Sequence, residues 1–89
     1  MTASTYLRSL LFNARSIVNK LSELHHLLYN VGYDLLLITE TWLHSDIPSS
    51  LLDPNSEYVV MRKDRPCTKG GGVCALVKKC FRTVLYLLP

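Results

Sequence analysis

Eighty-nine residues suffice for one domain or part of one, and a chain of this length buries about 60–70% of the surface its unfolded form exposes, enough for one modest core. With 48% hydrophobic and 19% charged residues, the composition excludes a disordered chain and implies more apolar surface than so short a chain hides, as expected for a piece of a larger domain. The net charge of +3 is concentrated late: from Arg62 to Arg82 seven basic residues stand against one acid, Asp64, which suits a polyanionic partner or, more plainly, a solvated hairpin whose lysines guard a sheet edge.

The first predicted element is a strand over residues 6–12, a short apolar run closed by the turn-forming Asn13. From Ser16 onward, Ile17, Leu21, Leu24, Leu28 and Val31 recur at steps of four and three, with Val18 and Leu27 widening the stripe, so an amphipathic α-helix is expected. Ser16 is the expected N-cap and Gly32 the expected left-handed C-cap. The pattern then turns into a continuous apolar run over residues 34–39, the signature of a strand buried on both faces. Strand, helix and strand over residues 6–40 form a β-α-β unit with parallel neighbouring strands and a right-handed crossover.

A turn-rich loop follows over residues 43–56, then a β-hairpin region over 57–88. Its strands are expected at 57–62 and 73–77 around a turn at 66–72, with a last strand at 82–88. Lys69-Gly70-Gly71-Gly72 lacks the Lys-Ser/Thr and helix of a phosphate-binding loop and reads as a flexible hairpin turn. Trp42, directly after the second strand, either stacks on a base or, as the plainer reading, packs under the following loop. Cys67, Cys74 and Cys80, spaced by seven and six, match neither paired zinc ligands nor a CxxC redox motif and read as reduced packing residues. No signal-like segment opens the chain and no apolar run approaches a membrane span, so an intracellular protein of nucleus or cytoplasm is expected.

Parallel strands share their carboxyl edge, so Asn13 and Glu40, each ending a strand, are expected to converge where open α/β sheets place ligands. An amide beside a carboxylate is half of a hard-cation site, because magnesium takes oxygen ligands, keeps several waters and needs only one or two carboxylates. The plain alternative is that both are turn or cap residues. His25, His26 and His44 read as helix-flank or surface side chains rather than bases.

Taken in order, Asn13-Ala14-Arg15-Ser16, Asn19-Lys20-Leu21, Ile38-Thr39-Glu40-Thr41-Trp42-Leu43, Arg62-Lys63-Asp64-Arg65 and Gly70-Gly71-Gly72-Val73 form a series that resembles the endonuclease/exonuclease/phosphatase superfamily. Within it, the series resembles the endonuclease domain of LINE-type non-LTR retrotransposons, across about residues 7–79. The resemblance implies the N-terminal part of a two-sheet α/β sandwich and a magnesium-dependent phosphodiesterase that nicks DNA for a reverse transcriptase of the same polyprotein. It implies that Glu40 binds Mg2+ and that Asn13 arranges metal and scissile phosphate. Read from their charge and place, Arg62 and Arg65 are candidates to meet DNA phosphates at the sheet edge, with pairing to Asp64 or solvation the plainer alternative. The family's later tyrosine, Asp-x-Asn and Ser-Asp-His motifs do not occur here. The isolated chain is therefore expected to be an inactive fragment; the alternatives are a non-catalytic remnant that binds nucleic acid weakly and a repair nuclease or phosphatase of the same fold.

Overall fold

A computed structural model describes residues 7–65 and 70–81. Four strands, β1 (Ser9–Asn13), β2 (Leu35–Thr39), β3 (Tyr58–Lys63) and β4 (Val73–Lys78), form one mixed sheet in the order β1-β2-β4-β3. β1 and β2 are parallel, with Asn13 opposite Thr39, so the expected β-α-β unit is present. β4 inserts between β2 and β3, antiparallel to both, and the hairpin thereby becomes part of the same sheet. The expected last strand, 82–88, lies outside the described residues.

Strand alternation divides the sheet into two unlike faces. Leu10, Phe12, Leu36, Ile38, Cys74 and Leu76 point to the side covered by the helical segment, where they join Ile17, Leu24 and Leu28 in one core. Each such fully buried leucine or isoleucine stabilises the fold by about 1.5–3 kcal/mol. The opposite face carries the row Leu11–Leu37–Ala75–Met61, one residue from each strand, and no described layer covers it. Leu11 is 69% exposed, Leu37 41% and Met61 43%. Full burial of the second strand on both faces was therefore the wrong expectation: its unbroken apolar run has only one of its faces covered in the described fold.

The helical segment departs from a regular α-helix at both ends. A 3₁₀ turn (Ile17–Lys20) leads into α1 (Leu21–His25), and a π-helical turn (His26–Val31) ends it. Ser16 occupies the N-cap position as expected, but its φ is 82° and its side chain makes no capping bond; its N–H donates to the carbonyl of Glu40 (3.0 Å), while that of Ile17 donates to the carbonyl of Thr41 (3.0 Å). The first turn is thus tied to the end of β2 instead of being capped. At the other end, the Tyr58 hydroxyl donates to the carbonyl of Leu28 (2.8 Å), the acceptor that the Gly32 N–H would use in an α-helix. Gly32 donates to Leu27 instead (3.0 Å), widening the turn, and stops the helix in the left-handed conformation (φ 80°) as expected. The stripe itself holds at Ile17, Leu24 and Leu28, whereas Val18 is 37% exposed and does not widen it.

The 43–56 loop is folded around two brackets. Leu52 is fully buried, and the buried Asp53 carboxylate accepts from the Tyr29 hydroxyl and from the backbone N–H groups of Glu57 and Tyr58. Among the described residues no helix is long and apolar enough to cross a membrane.

Candidate functional site

β1 and β2 end side by side, and just beyond them the chain abandons strand geometry. Asn13 lies on the open face, in register with Thr39. Regular alternation would send Glu40, the next residue, to the helix side, away from Asn13. Glu40 instead has a φ of 51°, in the left-handed region that glutamate seldom occupies, and its side chain comes round to the open side. There Asn13 Nδ2 donates to Glu40 Oε2 at 2.7 Å. The two residues that sequence reasoning placed at one edge are in direct contact.

Arg15, Ser16 and Trp42 share this positive-φ geometry (48°, 82° and 57°), so the strain is concentrated around Glu40. Backbone hydrogen bonds on both flanks hold it. On one side the Ala14 N–H donates to the Thr39 carbonyl (2.9 Å), with the Ser16 and Ile17 bonds continuing the ladder. On the other, the Thr41 N–H donates to the Gly72 carbonyl (3.3 Å) and the Trp42 N–H to the Gly71 carbonyl (2.9 Å). Gly70–Gly72 is therefore a docked segment rather than the flexible turn expected. Thr41 is fully buried against it, and a Cβ on Gly72 would stand 2.6 Å from Thr41 Oγ1. Sequence reasoning missed Thr41 and Gly72; the signal was three consecutive glycines entering a strand, a mark of close backbone approach or of φ values closed to other residues.

The donor set fits a hard cation in part. Asn13 is exposed and Glu40 half-buried, and among the described residues neither Glu40 Oε1 nor Asn13 Oδ1 accepts a hydrogen bond, which leaves two oxygens of the type magnesium takes. No group of three or more His, Cys, Asp or Glu side chains that could hold a metal ion gathers among the described residues.

The other candidates lie elsewhere. Arg62 donates through Nε and Nη2 to the Asp64 carboxylate (3.1 and 2.6 Å), through Nη1 to the Ile47 carbonyl and Ser49 hydroxyl (2.7 and 3.2 Å), and through Nη2 to the His44 carbonyl (3.0 Å). A guanidinium has five N–H donors, and all are engaged inside the chain. Arg62 thus offers a phosphate no donor without breaking a bond, and the plainer reading, pairing with Asp64, describes its geometry. Arg65 is exposed, its stem lying over Gly71, where an added Cβ would meet Arg65 Cδ at 2.0 Å. His25 Nε2 contacts the Leu51 carbonyl (3.1 Å), and His44 faces Asp46 across 3.9 Å in solvent. Burial pushes the Cys74 thiol up to about 11, so it remains a neutral packing group, whereas Cys80 is exposed; both are free thiols. Cys67 lies outside the described residues.

No family model and no curated protein sequence matches the chain. Two solved structures share its fold. A 3′ phosphatase, NExo from Neisseria, bound to a product DNA hairpin, superposes with a TM-score of 0.70 at 17% identity over 81% of this chain and 27% of its own. The AP endonuclease LMAP from Leishmania major superposes with a TM-score of 0.61 at 18% identity over 82% of this chain and 24% of its own. The described α/β fold is thus shared with part of each of these two structures. The chain spans about a quarter of the length of either structure.

Proposed function

We propose that the chain is part of a magnesium-dependent phosphodiesterase acting on DNA, with Glu40 as metal ligand and Asn13 as the group that orients it. The observation that carries this reading is the 2.7 Å bond between Asn13 and Glu40 at the carboxyl edge of a parallel strand pair, held by a strained backbone that regular strand geometry would not produce. The DNA substrate class is supported by the fold shared with an AP endonuclease and a DNA-bound 3′ phosphatase. The ordered motif series favours, within that class, the nicking endonuclease of a LINE-type retroelement, translated with a reverse transcriptase and acting in the nucleus or cytoplasm.

The residues present divide the work simply. Glu40 supplies the carboxylate that would hold the cation, and the Asn13 amide fixes its Oε2 while leaving Oε1 outward. A bound divalent ion neutralises charge developing on the nonbridging and leaving oxygens of the phosphate. Arg65 is exposed beside the glycine segment and is free to approach a phosphate without breaking a described hydrogen bond, whereas the guanidinium of Arg62 is engaged with the loop.

A second reading is favoured by the donor count: one carboxylate and one amide converge, and the described contacts of His25 and His44 are made away from both, so the isolated chain binds a cation without hydrolysing DNA. Supercoiled plasmid incubated with Mg2+ and the chain, beside its Glu40→Gln variant, separates the two. Plasmid left intact, together with Mn2+ broadening of NMR signals centred on Glu40 and lost in the variant, is expected. Magnesium-dependent nicking abolished by Glu40→Gln would establish a complete enzyme, and absence of localised broadening would refute the metal assignment.

A further inference from the structure

We propose that Gly72 is a positioning residue for the Glu40 carboxylate: it supplies the close-packed surface and the acceptor that keep the chain after β2 in its left-handed path. The inference rests on the metal-ligand reading of Glu40 for its consequence, but not for its geometry.

Glu40 reaches Asn13 only because the backbone leaves strand alternation at a φ of 51°. A glutamate does not hold that conformation unaided, so neighbouring groups must impose it. Two brackets do so. The Ala14–Ile17 ladder fixes residues 39–41 from one side, and the carbonyls of Gly71 and Gly72 accept from Trp42 and Thr41 on the other. The second bracket tolerates no side chain at residue 72: the added Cβ would lie 2.6 Å from Thr41 Oγ1 and 3.5 Å from the Lys63 carbonyl. Thr41 is fully buried, with Oγ1 accepting from the Leu43 N–H at 3.4 Å, so it has no open space to retreat into. The displacement has one outlet, the backbone of residues 40–42, and Glu40 turns away from Asn13.

Gly70 is the natural control. Its φ of 89° matches the 88° of Gly72, but the three atoms nearest its added Cβ all belong to the Trp42 ring, at 3.3–3.8 Å. A substitution there carries the same conformational cost without pressing on Thr41.

The test uses the isotopically labelled full chain and two readouts: the side-chain amide resonances of Asn13, which report its bond to Glu40, and the dissociation constant for Mn2+ from paramagnetic broadening. Gly72→Ala is expected to move the Asn13 amide signals to their position in Glu40→Gln and to weaken Mn2+ binding about tenfold or more, the usual cost of losing a group that orients a ligand. Gly70→Ala should leave both readouts close to wild type. Thr41→Ala combined with Gly72→Ala removes the obstructing hydroxyl and should restore both, which a variant that merely unfolds the chain could not do. Equal losses at Gly70 and Gly72, no recovery in the double variant, or unchanged Asn13 signals in Gly72→Ala would overturn the inference. Asn13 signals that shift and recover as expected in a wild-type chain that binds no Mn2+ would support the positioning role while refuting the metal reading; Mn2+ binding at Glu40 that is indifferent to Gly72→Ala would do the reverse.

Discussion

Replacing Arg62 distinguishes a structural bracket from a DNA contact. The side chains of Arg62 and Asp64 are 16% and 21% exposed and joined at 2.6 Å, so solvent screens this pair less than a surface one. Arg62→Met removes bonds to the carbonyls of His44 and Ile47, the hydroxyl of Ser49 and both oxygens of Asp64. A hydrogen bond to a charged group is worth about 1.5–3 kcal/mol net, but these five share one donor group and are not additive, and water reaches the more exposed acceptors once the side chain is gone. The expected loss is about 2–4 kcal/mol, most of it from the half-buried Asp64 carboxylate left without its partner. In a domain this size that lowers Tm by about 10–30 °C. Arg62→Lys should recover only a small part, because one ammonium cannot reproduce a planar five-donor fork. Thermal unfolding of the three proteins, with DNA binding measured across a salt series, decides the matter. A methionine variant within about 0.5 kcal/mol of wild-type stability, whose salt dependence of DNA binding nonetheless falls by about one phosphate contact, would refute the bracket and restore the phosphate-binding role.

Three further outcomes follow from the packing. Tyr58→Phe removes the hydroxyl whose one proton is shared between the carbonyls of Leu28 and Tyr33 (2.8 and 2.7 Å) and should cost about 1–3 kcal/mol at neutral pH in denaturant titrations, with the π turn relaxing toward α geometry. Burial pushes Tyr29 and Tyr58 from 10 up to about 12 and Cys74 from 9 up to about 11, so above about pH 9 the unfolded chain releases protons that the native one retains; stability should fall progressively from there to about pH 12, less steeply in Tyr58→Phe. Leu36→Ala, on the covered face, should cost about 2–5 kcal/mol by the same measurement, whereas Leu37→Lys, one residue on and open to solvent, should stay within about 0.5 kcal/mol and reduce aggregation in light scattering.

What the letters disclosed follows from which interactions are local. The β-α-β unit was legible because strand and helix periods are written in consecutive residues, and a parallel pair then forces Asn13 and Glu40 to one edge. The insertion of β4 between β2 and β3 was not, since strand order depends on pairings between distant segments. The break-up of the helix into 3₁₀, α and π turns was hidden for the same reason: its cause at one end is a tyrosine thirty residues away, and at the other a ladder to the end of β2. The pairing of Arg62 with Asp64 was legible because the two lie two residues apart, whereas its partners at His44, Ile47 and Ser49 were not. The kink at Glu40 is the hardest case, for nothing in a glutamate announces a positive φ; only the glycines that impose it are conspicuous.

The apolar open face and the candidate site are physically coupled. Leu11, Leu37 and Val73 run directly up to Asn13 and Thr39, so anything that covers those side chains also walls the strand ends where Glu40 sits. With Glu40 half-buried and Asn13 exposed, the site remains wetted by solvent. Two unit charges 4 Å apart attract by about 1 kcal/mol in bulk water but by about 4 kcal/mol at the effective dielectric constant typical near a protein surface. Excluding water would therefore strengthen both the hold of Glu40 on a cation and the pull of that cation on a phosphate oxygen, without moving either residue. Hydrolysis depends on the second of these far more than binding depends on the first, because only interactions that grow toward the transition state accelerate a reaction. On the proposed metal reading of Glu40, cation binding and phosphate chemistry are therefore separable: Glu40 and its amide partner would serve the former, and a covered sheet face would favour the latter.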